Sequence, residues 1–313
     1  DLKRIVDISH SHNIPVLVDE AHGVHIHFHE SLPISAMAAG ADMAATSVHK
    51  LGGSMTQSSV LNVREGLVSS KRVQSILSML TTTSTSYPIL ASLDTARRQL
   101  AINGHDLLTT TIRLAKDARK RINQIPNLRC VGNEILRTSA TYDMDPTKLL
   151  ISVKNLGITG HQAEEWLREK ANIEVELSDL YNILCIVTIA DSKKELNILV
   201  NALQRMAKDF ESEVTIIEPF VTMPDIPRLA MTPRDAFYAT TEVVPFAESV
   251  GRISAEFIMV YPPGIPIFIP GEIITEDNIA YIHMNIEAGL PVQGPEDDEL
   301  KLIRVIKEHK AFY

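Results

Sequence analysis

The sequence predicts an α/β protein in which helices cover a mainly parallel sheet. Residues 16–19 and 41–46 are apolar segments with the length of buried strands, and apolar character on both faces of a strand is typical of parallel sheets. The residues between them are numerous enough for the helical crossover that parallel neighbours require. Each segment runs into polar residues, so we expect a ligand site at the carboxyl edge of the sheet.

Local signals define the elements around these two strands. A helix is predicted over residues 1–12, because apolar residues recur on one side of it, and Pro15 ends it by restricting the residue before it. An alanine-rich helix over residues 35–40 closes on a glycine. A strand over residues 57–63 and a helix over residues 68–80 follow.

The second half of the chain has a different pattern. Helical spacing predicts two helices, over residues 89–100 and 107–125, joined to the preceding helix by a run of hydroxyl residues that is typical of a cap and turn. From residue 145 strands and helices alternate as in a compact α+β unit. The strands are predicted at residues 148–153, 173–177 and 182–190, and the helices at residues 161–170 and 192–210.

Composition excludes several classes of protein. The chain has 313 residues, is 45% hydrophobic and contains no apolar run of membrane-spanning length, so we expect no membrane association. A net charge of −9 argues against a nucleic-acid partner and is compatible with a cationic ligand. The two cysteines, Cys130 and Cys185, lie in apolar settings, which favours unpaired thiols in a reducing cytoplasm.

Two motifs supply the candidate chemistry. The first strand runs into Asp-Glu-Ala-His-Gly at residues 19–23, and the second into Ser-Val-His-Lys at residues 47–50, before two glycines. The Lys50 amine can form a Schiff base, the Asp19 carboxylate can hold a pyridine nitrogen protonated, and hydroxyl and imidazole groups can bind a phosphate ester. These residue types indicate a pyridoxal phosphate site.

Both motifs resemble those of the fold type I pyridoxal-phosphate decarboxylases of ornithine, lysine and arginine. Three later motifs extend the resemblance: Gly-Arg-Ile-Ser-Ala-Glu at 251–256, Tyr-Pro-Pro-Gly-Ile-Pro at 261–266 and Pro-Gly-Glu at 270–272. The resemblance implies part of a cofactor-binding large domain at residues 1–130, a small α+β domain at 131–217 and a C-terminal decarboxylase domain at 218–313. It also implies a homodimer or a higher oligomer.

The resemblance assigns roles to individual residues. It implies three catalytic residues that also contact the cofactor, Asp19, His22 and Lys50, and three further cofactor-binding residues, Ala21, Ser47 and His49. Lys50 would carry the cofactor, Asp19 would keep its ring nitrogen protonated, and His22 or the released Lys50 would return a proton to the α carbon. A similar hydroxyl-rich segment lies near the cofactor phosphate in the family, which is a second interpretation of residues 81–86.

Acidic and histidine residues raise two further questions. Glu256 and Glu272 are predicted to lie near the distal cation of the substrate, since a diamino-acid decarboxylase needs an acid there. His25, His27 and His29 would share one face of an extended segment, but no cysteine or well-spaced acid completes a ligand set. We therefore predict no metal site.

The predicted function is decarboxylation of a basic amino acid, with arginine ranked before lysine and ornithine. Two alternatives stay open: another enzyme of the same fold, such as an acyl-CoA condensing synthase or an aminotransferase, and a non-catalytic fragment. The apolar pattern predicts that Asp1, the first residue, lies in the middle of a helix. The phosphate loop of the family is not visible before Asp19. We therefore expect a partial chain.

Overall fold

The structure is a computed structural model that describes residues 1–210, 224–260, 265–287 and 292–307. The chain forms two units, Asp1–Leu150 with Cys185–Gln204 and Ile151–Leu184 with Arg205–Tyr313. In the described ranges, no helix has the length and apolar character needed to cross a membrane. The division into three domains at residues 130 and 217 stays a prediction.

A three-stranded sheet in the first unit carries the predicted motifs. Its strands, in spatial order, are β1 (Leu17–Asp19), β2 (Met43–Thr46) and β3 (Val60–Val63). β1 and β2 are parallel as predicted, with Asp19 paired to Ala45, whereas β3 runs antiparallel to β2. The carboxyl ends of β1 and β2 therefore meet at one edge of the sheet.

Helices α1 (Leu2–Ser11) and α2 (Ala36–Ala39) pack on one face of this sheet, where Val6 and Ala36 lie in one cluster with Val18 and Ala44. The prediction that residues 16–19 are buried on both faces is wrong, because Leu17 is 63% exposed. β1 is an edge strand of this sheet, and Val18 packs in the cluster on the face that α1 and α2 cover.

The helices after the sheet differ from the prediction in number. α3 (Val48–Leu51) and α4 (Ser70–Leu80) are followed by α5 (Tyr87–Ile122), a single helix of 36 residues where two were expected. Gly104 lies in the expected gap, but it stays helical because its missing side chain admits Phe28: a Cβ there would lie 3.1 Å from the Phe28 Cβ. A continuous buried stripe then joins both halves of the helix.

Residues 81–86 connect α4 to α5 as the cap-and-turn interpretation predicted. The Thr81 hydroxyl donates to the carbonyl of Leu77 at the end of α4, and Ser86 is the N-cap residue of α5. Pro88 lies in the first turn of α5, where its missing N–H costs no helical hydrogen bond.

Four strands form a second sheet in the order β4-β5-β7-β6. They are β4 (Arg129–Cys130), β5 (Lys148–Ser152), β6 (Leu177–Ser178) and β7 (Asn182–Ile186), and the helices of this region are α6 (Gly160–Ala171) and α7 (Lys193–Asp209). The predicted strand at residues 173–177 is wrong except at its end. Asn172 adopts a left-handed conformation after α6, and the N–H of Ile173 donates to Leu167 in the helix cap, so these residues finish the helix.

In its described residues, the C-terminal region contains short strands and two α-helices, α8 (Pro233–Tyr238) and α9 (Glu276–Glu287). Its strands are β8 (Thr241–Pro245), β9 (Ile258–Val260), β10 (Ile265–Phe268), β11 (Val292–Gln293) and β12 (Leu302–Ile306). They form two antiparallel sheets, β10-β9-β11 and β12-β8, over a core that includes Phe246, Phe268 and Ile282. Residues 261–264 of the predicted proline-rich loop and residues 218–223 of the predicted linker lie outside the described residues.

Arg119 on α5 binds backbone carbonyls in the first unit. Its Nε donates to Val131 at 2.8 Å, both terminal nitrogens donate to Pro146 at 3.1 Å, and one also donates to Lys148 at 2.6 Å. The residue is only 9% exposed. The planar guanidinium is suited to this role because its donors form a rigid fork that a lysine ammonium does not reproduce.

We therefore expect Arg119→Lys to lower the free energy of unfolding by about 2–4 kcal/mol, because buried carbonyls would lose their donors. Urea unfolding measures the change. Arg113→Lys is the matched control, since Arg113 lies on the same helix but is exposed, and it should stay within about 0.5 kcal/mol of the parent. Equal stability of the two variants would contradict a role for these hydrogen bonds.

Candidate active site

Lys50 and His22 meet at the carboxyl edge formed by β1 and β2. The Lys50 Nζ lies 3.0 Å from the His22 Nε2. Two backbone hydrogen bonds join the segments that carry them, from Glu20 N–H to the Ala45 carbonyl at 2.9 Å and from Ser47 N–H to the Ala21 carbonyl at 3.3 Å. The two motifs that the sequence singled out are thus brought together by continued pairing beyond the strand ends.

A one-turn helix, rather than the strand end itself, presents Lys50. Ser47 is the N-cap residue of α3, and two glycines follow the helix. A Cβ on Gly52 would lie 2.7 Å from the Val48 carbonyl oxygen, and Gly53 has a φ of +84°. This turn therefore requires glycine at both positions, for close packing at the first and for backbone conformation at the second.

Asp19 and His49 also have defined contacts. Asp19 is exposed at the end of β1, and its carboxylate accepts a hydrogen bond from Ala21 N–H at 3.0 Å. The His49 Nδ1 lies 2.8 Å from the Ser58 carbonyl oxygen. Because a carbonyl only accepts, Nδ1 carries a hydrogen, so the Nε2 of His49 could donate to a phosphate only in the imidazolium form. The cofactor contacts assigned to Ala21, Ser47 and His49 stay predictions.

Glu20 was given no role by the sequence analysis, yet it supports this loop. Its Oε1 accepts a hydrogen bond of 2.7 Å from Ala36 N–H at the start of α2. A carboxylate is favoured there because the first N–H groups of a helix carry partial positive charge. Gly23 leaves room for it, since a Cβ at that position would lie 2.2 Å from the Glu20 Cγ.

His25 is a second buried anchor of the same loop. It is 3% exposed, and its Nε2 lies 2.9 Å from an Asp145 carboxylate oxygen that also binds the Lys148 ammonium at 2.8 Å. Burial alone would raise the pKa of Asp145, but the hydrogen bond from His25 and the charge of Lys148 hold it well below its usual value. His22 therefore lies between two fixed residues, Glu20 and His25.

The histidine run is not extended, so its members diverge. Residues Ile26–Phe28 form a single 3-10 turn. His25 faces Asp145, the His27 Nε2 lies 3.5 Å from a Glu20 oxygen, and His29 stacks on His105 of α5. The shared face considered for these three histidines does not exist.

The predicted substrate acids lie in the second unit. Glu272 is 9% exposed and accepts a hydrogen bond from Ile269 N–H at 2.9 Å, within its own turn. Glu256 is half-buried, and burial raises its pKa. Its Oε2 is buried and has no hydrogen-bond partner among the described residues. Their contact with a substrate stays a prediction.

Comparison with known proteins gives consistent matches along the chain. A family model described as Orn/Lys/Arg decarboxylase, major domain, matches residues 1–195, and one described as Orn/Lys/Arg decarboxylase, C-terminal domain, matches residues 218–296. Curated proteins named arginine decarboxylase are similar at 70% identity (Halalkalibacterium halodurans) and 67% identity (Bacillus subtilis), each over 312 residues. Each of these alignments covers 99% of this chain and 64% of the relative, so the chain spans less than two thirds of their length.

A solved structure has the same fold. The crystal structure of the lysine decarboxylase LdcF of Francisella novicida matches 93% of this chain and 53% of its own with a TM-score of 0.78. At 23% sequence identity this likeness shows the fold, and it confirms the predicted fold class.

The Asp145 contacts predict a pH-dependent contribution to stability. We expect Asp145→Asn to cost about 2–3 kcal/mol at neutral pH, because His25 and Lys148 lose a buried anionic partner. The pKa of Asp145 is lowered by folding, so its contribution to stability is complete above the unfolded-state pKa of about 3.9 and decreases progressively as the pH falls from that value toward the lower folded-state pKa.

Urea unfolding at pH 7 and at pH 3.5 tests this expectation, with Asp143→Asn as the matched control at an exposed position. The difference between the parent and Asp145→Asn should narrow at the lower pH, whereas the control should match the parent at both. A difference independent of pH would contradict the role of the carboxylate charge.

Proposed function

Because this chain belongs to the Orn/Lys/Arg decarboxylase family, we propose that it is part of an enzyme that removes the carboxylate of a basic amino acid as carbon dioxide. The observation that carries the proposal is the contact between Lys50 Nζ and His22 Nε2 at the edge formed by β1 and β2. Arginine is the first choice of substrate, supported by the curated relatives named arginine decarboxylase.

The side chains at this edge fit pyridoxal phosphate. An amine stands beside an imidazole, a carboxylate ends the neighbouring strand, and the Ser47 hydroxyl and the His49 imidazole follow β2. These groups are complementary to an aldehyde, a pyridine nitrogen and a phosphate ester respectively. When bound, the cofactor supplies the carbonyl carbon for the amine and the ring that accepts the electron pair left by carbon dioxide.

The protein side chains would then control protons and charge. The Asp19 carboxylate would keep a proton on the pyridine nitrogen, since an opposite charge within hydrogen-bond distance favours the protonated form. Lys50 and His22 share one hydrogen bond of 3.0 Å, so either could hold the proton that would be returned to the α carbon. Glu20 and His25 would act only by fixing the position of His22.

Two finer assignments complete the proposal. Glu256 would bind the distal cation of the substrate, and Glu272 is the second candidate. The Glu256 Oε2 is buried and accepts no hydrogen bond from the described residues, so it could accept one from a charged group of the substrate. The assembly would be a homodimer or a higher homo-oligomer. The proposal has two alternatives. The chain could belong to an enzyme of the same fold that retains the substrate carboxylate, or it could be a non-catalytic fragment.

Reductive trapping tests the cofactor assignment. After incubation with pyridoxal phosphate, the Lys50 amine and the aldehyde lose water, and borohydride then reduces the new bond to a stable secondary amine. Peptide mass mapping should find one adduct, on Lys50, which Lys50→Ala abolishes and the control Lys71→Ala leaves in place. Adducts that scatter over surface lysines and ignore Lys50→Ala would refute the assignment.

Release of labelled carbon dioxide tests the reaction and the substrate. The assay uses a longer protein that includes this chain and has the full length of its relatives. This protein should release labelled carbon dioxide from carboxyl-labelled arginine with a higher kcat/KM than from lysine or ornithine. The Lys50→Ala variant sets the background. Release from none of the three, or conversion of the substrate with its carboxylate retained, would overturn the decarboxylase proposal.

A further inference from the structure

We propose that His29, Glu30 and His105 form a binding site for a divalent transition-metal ion of the zinc type. The site is separate from the Lys50 edge and independent of the proposed function. It joins the loop after the 3-10 turn Ile26–Phe28 to the middle of α5. Among the described residues, these are the three side chains whose histidine nitrogens and carboxylate oxygen lie close enough together to share an ion.

The spacing of the ligand atoms approaches that of a zinc site. The Glu30 Oε2 lies 3.3 Å from the His105 Nε2 and 4.0 Å from the His29 Nδ1. Ligand atoms around a tetrahedral zinc with bonds of about 2.1 Å are about 3.4 Å apart. The first distance is close to this value and the second exceeds it by about half an ångström, so movements of the exposed Glu30 and His105 side chains would be needed to reach zinc spacing.

The second nitrogen of the His29 imidazole has a hydrogen-bond partner. The His29 Nε2 lies 3.0 Å from the Thr109 hydroxyl, whose proton is donated to the His105 backbone carbonyl at 2.9 Å. The His29 Nε2 must therefore carry the hydrogen, which leaves a lone pair on Nδ1. Such an outer partner fixes the tautomer and orients the free nitrogen in known metal sites. The His105 Nδ1 lies 3.5 Å from the exposed Asp106 carboxylate, which is a charge contact rather than a hydrogen bond.

Two local changes would accompany coordination. The imidazole rings now stack, with centroids 4.7 Å apart and planes 17° from parallel, and nearly parallel rings cannot both hold one ion in their own planes. His105 must turn out of the stack, and an exposed side-chain fraction of 61% leaves it room to do so. The Ser31 N–H, which donates to the His29 Nδ1 at 3.1 Å, is exposed and would bind water instead.

The ligand types select the ion. Two imidazoles and one carboxylate suit zinc, cobalt or nickel, whereas magnesium and calcium prefer an all-oxygen set. With three protein ligands, water would occupy the fourth position. The ion would be exchangeable, since Glu30 and His105 are exposed.

Metal titration of the 313-residue chain tests the proposal without cofactor or substrate. After removal of metals with a chelator, cobalt(II) should give visible absorption bands of a low-symmetry nitrogen–oxygen site, and calorimetry with zinc should resolve one site that depends on these residues. His105→Asn and Glu30→Gln should each weaken that site at least tenfold. Both positions are exposed, so both variants should fold, and circular dichroism checks this.

The Thr109→Val variant distinguishes a specific zinc site from nonspecific binding of zinc by surface histidines. It removes the outer partner of His29 and should weaken zinc binding by about 10- to 100-fold. Thr95→Val is the matched control, because the Thr95 hydroxyl makes the same backbone hydrogen bond on α5, to Ala91 at 2.9 Å, and has no hydrogen bond to a histidine in the described part of the chain.

Unchanged affinity in His105→Asn or Glu30→Gln would overturn the site. Equal affinity in Thr109→Val and Thr95→Val would show an adventitious metal only and would also overturn the proposal. Neither result would bear on carbon dioxide release or on the Lys50 adduct, so the metal site and the proposed function fail separately.

Discussion

The parallel pairing of β1 with β2 is the interaction on which the candidate active site depends. It sets Asp19 opposite Ala45, and the hydrogen bonds that continue past the strand ends bring the two following loops together. A shift of one residue in this register would reverse which side chains face α1 and α2 and would separate Lys50 from His22. The strands are only three and four residues long, so the packing of Val6 and Ala36 on one face is what fixes their alignment.

Residues without a chemical role hold the reactive ones in place. Glu20 binds the start of α2, and His25 reaches Asp145 on a segment 120 positions away. Both contacts are largely removed from water, where a lost hydrogen bond is costly, whereas Lys50 and Asp19 are exposed. The Asp-Glu-Ala-His-Gly motif therefore contains two kinds of residue: its imidazole contacts Lys50, while its second acid and its glycine serve the local fold.

Local signals in the sequence were sufficient for the strands β1 and β2, for most helix ends and for the pair of motifs, because turns, caps and apolar periodicity act over a few residues. They were insufficient where a side chain distant in the sequence determines the local conformation. The gap expected in α5 closes because Phe28 packs on Gly104, and the direction of Glu20 depends on where α2 begins. The histidine run gave no hint of His105, since nothing local links a loop near residue 29 to the middle of a later helix.

The unbroken helix α5 fixes the spacing between distant parts of the first unit. Its 36 residues span about 54 Å, with Leu100 packed near the turn that presents Lys50 and Arg119 bound to carbonyls more than five turns later. Each added or deleted residue would rotate everything beyond it by about 100°. Evolution can therefore exchange side chains along this helix freely on its outer face, but insertions and deletions in related proteins should be confined to the loops at its two ends.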